Sequence, residues 1–277
     1  MGKPMSEYYA IQRTYGQPAT IASLTRDLAA LGLTAGMTLL VHSSLSALGW
    51  VCGGTVAVIR ALENVLGPEG TLVMPTHSAD LSDPANWSAP PVPKSWWRVI
   101  RQHMPAFDPD LTPSREMGVI PECFRKQSGV RRSNHPQFSF AARGLHAGTI
   151  VAEHALEYGL GEASPLARIN KLNGWVLLLG VGHNANTSLH LAEYRAAYAG
   201  KRVVTSGAPL IRAGQRQWVT FSDIELDSGD FHLIGTGFAR DTGLVRQEQV
   251  AAGTALLMPQ RLLVEYAVTW IEQHRPQ

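Results

Sequence analysis

Apolar residues recur at helical spacing over residues 20–33, where Leu24, Leu28 and Leu31 make one stripe. The pattern then changes. Residues 37–41 form a continuous apolar run, read as a buried strand that ends at His42-Ser43-Ser44. After Gly53-Gly54, helical spacing returns with Val56, Ile59, Leu62, Val65 and Leu66, and Gly67-Pro68 stops it. Residues 71–74 are a second apolar run ending at Pro75-Thr76-His77. A strand, a helix and a strand in this order predict a parallel pair joined by a right-handed crossover. Both strands would deliver hydroxyl and imidazole groups to one edge of the sheet.

Residues 78–115 break this rhythm. Seven prolines fall between Pro84 and Pro113, interleaved with Trp87, Trp96, Trp97 and Phe107. A flexible tether would not carry four aromatics, so the segment is expected to be an ordered excursion over the sheet, with a short helix at 95–103. Further helices are expected at 117–127, with Pro121 in a first turn, and at 146–155, and a strand at 138–140. Residues 201–211 and 217–221 read as a hairpin closed by Ala213-Gly214, and 259–274 as a terminal helix. The expected fold is α/β, a central mixed β-sheet flanked by helices, in one domain spanning 1–277.

The most informative stretch is LLLGVGHNANTSLHLAEYR, residues 177–195. A buried strand, Trp175 to Leu179, turns at Gly180 and Gly182 and enters a helix for which Asn186 and Thr187 are natural N-caps. His190 and Glu193 are three apart, so they share a helix face. A histidine beside a carboxylate, near the carboxyl end of a buried strand, sits where α/β proteins place their chemistry. The bland alternative is an exposed surface pair contributing about 0.2–0.5 kcal/mol.

Composition narrows the class. With 45% hydrophobic and 17% charged residues in 277, the chain can bury a substantial core. A formal net charge of +2 gives no footprint for nucleic acid. No apolar run suits a membrane span, and MGKPMSEYYA lacks the apolar region of a signal peptide, so a cytoplasmic location is expected. Cys52 and Cys123 form no disulfide or metal pattern.

Several mechanisms lack their motifs. There is no G-x-S-x-G elbow, no Walker loop and no G-x-G-x-x-G in the first strand–helix turn. The pyrophosphate loop of the common N-acetyltransferases is not met at Arg115 to Ile120 either. His190-x-x-Glu193 matches a spacing found in zinc peptidases, with His183 or His42 as a third ligand, but no Cys cluster or HExxH supports it. No metal is expected.

The blocks LLVHSSLSALGWV, GTLVMPTHSADLSDPANW, PPVPKSWW, TPSREMGVIPECFR, RRSNHPQFSFAARG, LGEASPL and LLLGVGHNANTSLHLAEYR occur in this order. Together they closely resemble the aminoglycoside 3-N-acetyltransferases, a family distinct from the common N-acetyltransferase superfamily. The resemblance covers about residues 20–275. It implies transfer of acetyl from acetyl-CoA to the 3-amino group of a 2-deoxystreptamine antibiotic, hence antibiotic resistance, by direct attack in a ternary complex. It places the catalytic histidine at His190, its carboxylate partner at Glu193 and a further site histidine at His42. It also implies that acetyl-CoA lies along Ser43, Ser44, Leu45, Ser46, Thr76, Ser114, Arg115, Met117 and Gly118.

Elementary chemistry agrees. An ammonium cannot attack a thioester until it loses its proton, and imidazole is suited to take it. Oxyanion donors are sought among the N–H groups of residues 43–46 and the hydroxyls of Ser44 and Thr76. A polycationic acceptor predicts an acidic cleft, for which Asp80, Asp83, Asp108, Asp110, Glu157 and Glu162 are the loop carboxylates available. Asn184 stands where some relatives have Asp, and His77 occupies a position that varies among them and is given no essential role. Both bear on acceptor choice. Partners are expected to be small molecules only, neither nucleic acid nor membrane, with the protein a monomer or homodimer. Three other readings stay open from sequence: acetylation of a biosynthetic amine, zinc-dependent hydrolysis through His190 and Glu193, and sequestration of the antibiotic without turnover.

Overall fold

The computed structural model describes residues 3–14 and 16–275. Its seven-stranded mixed sheet has the order β3-β4-β2-β1-β5-β9-β8. The strands are β1 (Thr38–Ser43), β2 (Thr71–Pro75), β3 (Arg131–Arg132), β4 (Phe140–Gly144), β5 (Trp175–Leu179), β8 (Arg246–Val250) and β9 (Gly253–Pro259). The three central strands run parallel, β1 between β2 and β5, and the flanking pairs are antiparallel. A separate ribbon consists of β6 (Val203–Arg212) and β7 (Gln215–Ile224), and positive φ at Ala213 and Gly214 closes it tightly.

Strand alternation divides the core into two layers. Leu39, Val41, Leu72, Met74, Leu177 and Leu179 face α2 (Ile21–Leu31), α3 (Gly54–Leu66) and α5 (Val119–Phe124). Leu40, Val73, Val176 and Leu178 face the opposite way. They meet α6 (Ala147–Val151), α7 (Pro165–Lys171), α8 (Ser188–Arg195), α9 (Phe231–Thr242) and α10 (Gln260–His274). Local signals start and stop these helices. For α2, Thr20 and Ser23 form a capping box and Gly32, at φ 106°, closes the end.

The excursion is ordered and carries α4 (Trp97–His103). It is fastened to the ribbon, Phe107 N–H donating to Pro209 O at 3.1 Å and Arg216 Nε to Met104 O at 3.0 Å. Two expectations shift. The strand expected at 138–140 begins at Phe140, because the N–H groups of Gln137 and Phe138 donate to His135 Nδ1 in a turn. The helix expected at 146–155 stops at Val151, where Ala152 turns extended and Glu153 takes φ 42°. Elements not anticipated are α1 (Lys3–Arg13), β3, α7, α9, β8 and β9. Among the described residues no helix is long and apolar enough to cross a membrane.

Candidate active site

Strands β1 and β5 finish side by side, with His42 opposite Leu178 and Ser43 opposite Leu179. From β5 the chain turns at Gly180 and enters α8, so the end of β1 and the start of α8 converge. Asn186 precedes that helix, its Oδ1 accepting from Ser188 N–H at 3.2 Å in a local turn. Thr187 takes the N-cap position, but its side chain makes no capping bond. Its hydroxyl lies 3.3 Å from His42 Nε2 and joins α8 to β1 at the site.

His190 and Glu193 meet as their spacing implies: His190 Nδ1 is 2.5 Å from Glu193 Oε2. The Glu193 side chain is fully buried, whereas that of His190 keeps 17% exposure, so the imidazole is partly open to solvent and the carboxylate lies behind it. Phe231 of α9 packs edge-on to the imidazole, ring centroids 4.8 Å apart. Glu193 Oε1 accepts from Arg275 Nη1 at 2.5 Å and from Asp227 N–H at 3.0 Å. A buried carboxylate requires such partners, since an uncompensated charge away from water is costly.

His42 and His77 are buried near this dyad. Burial, assisted by His190, lowers the His42 imidazole to about 3. Burial, assisted by the nearby His190 and His42 and more weakly by His135 and Arg132, lowers His77 to about 3 as well. Both are neutral at pH 7. His77 is held edge-on between Phe138 and Phe140, with centroids at 5.5 and 5.2 Å.

Six of the nine residues assigned to the donor line one cleft. Ser43, Ser44, Leu45, Ser46, Met117 and Gly118 surround a cavity of about 820 Å³ together with Glu7, Trp50 and the Gly53-Gly54 start of α3. The Ser43 hydroxyl is buried without a partner, and Gly118 sits at φ 86° against the Ser43 carbonyl. The N-terminus of α3 opens on the cleft; its Gly54 N–H is engaged with Val51 O at 2.9 Å, and the N–H groups of the turn that follows suit an anionic ligand such as a pyrophosphate. The Ser44 N–H is engaged with Leu179 O, so it is no oxyanion donor.

The other three lie apart from that lining. Thr76 is fully buried, its hydroxyl 3.2 Å from that of Ser139 and accepting from Arg132 Nε at 3.1 Å. Ser114 donates through N–H and hydroxyl to Glu122, at 2.9 and 2.7 Å. Arg115 N–H donates to His77 O at 2.8 Å, and its guanidinium pairs with Asp80 at 3.1 Å. Each holds the Ser114–Gly118 segment, or the end of β2 beside it, in place.

The acidic set is divided. Asp83 binds Arg101 through two hydrogen bonds, Glu162 pairs with Arg195 and Asp108 caps a turn through the N–H groups of Asp110 and Leu111. Asp110, Glu157 and Asn184 are exposed. Sequence reasoning did not single out Asp223, which is buried and accepts from the Tyr194 hydroxyl, nor Arg275 and Asp230. Among the described residues no three His, Cys, Asp or Glu side chains are grouped to hold a metal ion.

Comparison with known proteins gives this arrangement a context. Residues 40–272 match the family described as aminoglycoside 3-N-acetyltransferase. The chain is 45% identical over 254 residues to the SPbeta prophage-derived aminoglycoside N(3')-acetyltransferase-like protein YokD of Bacillus subtilis, covering 91% of this chain and 92% of that protein. It is 37% identical to aminoglycoside N(3)-acetyltransferase IX of Micromonospora chalcea, covering 93% and 95%. Among solved structures, that of AAC-IIIb as a binary complex with CoASH superposes with a TM-score of 0.84 at 34% identity, covering 94% and 99%. That of AAC-VIa bound to sisomicin gives 0.83 at 34%, covering 92% and 98%.

Proposed function

The chain belongs to the aminoglycoside 3-N-acetyltransferase family, and on that premise we propose that it acetylates the 3-amino group of 2-deoxystreptamine aminoglycosides. Acetyl-CoA is the donor, and the outcome is antibiotic resistance. The observation that carries the reading is the His190–Glu193 pair on α8, which Thr187 ties to His42 of β1, the strand whose Ser43 lines the 820 Å³ cleft.

The residues divide the work as follows. Glu193 holds the Nδ1–H tautomer, which leaves the Nε2 lone pair of His190 free. Nε2 accepts the proton that the acceptor amine sheds as its nitrogen attacks the thioester carbonyl, and the resulting imidazolium is stabilised by Glu193. The C–N bond forms, the C–S bond breaks and the proton leaves with the CoA thiol. This is direct transfer with both substrates bound. His42, lowered to about 3, is too weak a base for that step, so its place is to pack and align through Thr187. Ser43 to Ser46, Met117 and Gly118 hold the pantetheine arm, and the N-terminus of α3 receives phosphate. Glu157 and Asn184, both exposed, would meet a cationic acceptor, with Asp80 contributing on release from its pair with Arg115.

The test mixes purified protein, acetyl-CoA and a panel of 2-deoxystreptamine aminoglycosides, following thiol release and product mass. One added acetyl on the 3-amino group is expected, with kcat falling about 10²–10⁴-fold in His190→Ala. No thiol release with any aminoglycoside, from protein that still binds acetyl-CoA, would overturn the reading and direct attention to other amines.

A further inference from the structure

We propose that Arg275 is a positioning residue for acetyl transfer: its guanidinium fork aims the Glu193 carboxylate at His190. The inference rests on the reading of His190 as the base. Arg275 directly follows α10, three residues beyond the stretch that matches the family profile, which ends at residue 272.

A buried Glu side chain can rotate its two oxygens among several hydrogen-bonding poses unless both are pinned. Here Oε1 is pinned by Arg275 Nη1 at 2.5 Å and by Asp227 N–H at 3.0 Å, which leaves Oε2 directed at His190 Nδ1. Arg275 is itself held from three sides. Its Nε and Nη2 bind both oxygens of Asp230, at 2.8 and 2.7 Å, Nη2 also donates to Asp227 O at 2.7 Å, and the guanidinium lies over the Tyr198 ring. Five donors in a rigid plane suit this arrangement, and a lysine ammonium cannot reproduce it.

Charge points the same way. Glu193 has no exposure, and the Arg275 side chain retains only 10%, so the pair lies largely away from water. The other nearby cation, Lys201, directs its ammonium to the carbonyls of Tyr194 and Ala196 instead. Burial would lower the Arg275 guanidinium, but its hydrogen bonds to Asp230 and Glu193 outweigh that and raise it. It is charged throughout the working range. A permanent cation behind the carboxylate fixes its orientation toward the imidazole through a charge-assisted hydrogen bond.

The experiment is a cycle of Arg275→Gln, Glu193→Gln and the double variant, with Arg275→Lys alongside, each measured for kcat, for KM of acetyl-CoA and for thermal unfolding. Arg275→Gln is expected to lower kcat about 10²-fold while KM for acetyl-CoA stays within about twofold. Added to Glu193→Gln it should cost less than about twofold more, because the group through which it acts is already gone. Arg275→Lys, which keeps the charge and loses the fork, should lose about fivefold or more. The proposal is overturned if folded Arg275→Gln stays within about threefold of wild type, or if its loss adds in full to that of Glu193→Gln. If Arg275→Gln does not fold, Arg275→Lys decides, and wild-type kcat there overturns the orienting role. Failure of wild-type protein to transfer acetyl, or full activity in His190→Ala, would instead remove the base reading itself.

Discussion

Acidification from about pH 7.5 to about pH 5 should destabilise this protein severely, because of histidines rather than carboxylates. Burial is the leading cause in each of four imidazoles: it lowers His42 and His77 to about 3, His135 to about 4 and His154 well below its ordinary value. The folded protein keeps them neutral where the unfolded chain protonates them near 6.5. Their contribution is therefore fully present above about pH 6.5 and is lost as pH falls from there toward the folded values. Each costs about 1.4 kcal/mol per pH unit in that window, so His42, His77 and His135 together remove about 6 kcal/mol at pH 5. That is comparable with the whole stability of a typical domain, about 5–15 kcal/mol. Carboxylates contribute little here, since both folded and unfolded forms stay largely ionised at pH 5. Asp223, raised by burial, acts in the opposite direction and offsets a part. Urea unfolding followed by tryptophan fluorescence at intervals across this range reads the effect directly. His135→Gln should flatten the slope by about one proton. A free energy that changes by less than about 1 kcal/mol between pH 7.5 and pH 5 would refute the reasoning.

Two further outcomes are expected. In Gly235→Ala the new Cβ would lie 2.2 Å from the His183 ring, so the overlap should outweigh the helix-propensity gain and destabilise by about 1–3 kcal/mol net, seen as a lower Tm. Glu122→Gln loosens the hold on Ser114 and Arg125 and should raise KM for acetyl-CoA several-fold while kcat changes by less than about twofold, as steady-state kinetics would show.

The sequence announced the centre of the molecule better than its rim. Strands β1, β2 and β5 are continuous apolar runs buried on both faces, and α3 and α10 are bounded by strong stop or start residues, so each was legible. Strand β8 was not: Arg246 to Gln249 are exposed on an edge, and a polar run carries no periodicity to read. Helix α9 was hidden by Gly235 and Gly237, which weaken helix propensity but admit the His183 ring and the Tyr266 hydroxyl. The same divide runs through the site. His190 and Glu193 share one turn of one helix, whereas Arg275 reaches Glu193 across 82 positions and has no local signature. Glu7 and Trp50 line the cleft because α1 packs on the Leu45–Leu48 turn, a contact between separate segments that has no local signature.

Two consecutive residues of β1 serve opposite layers of the sheet. Val41 packs with α2 and α3 and Leu40 with α8 and α10, so by alternation His42 turns toward the dyad and Ser43 toward the cleft. An insertion or deletion of one residue upstream in this strand would exchange them, sending a hydroxyl to the imidazole side and a ring into the cleft. Divergence of this enzyme is consequently confined, along β1, to replacement of side chains at constant length. Changes of length must be taken up in the excursion and the ribbon, whose loops can lengthen without moving the strand register.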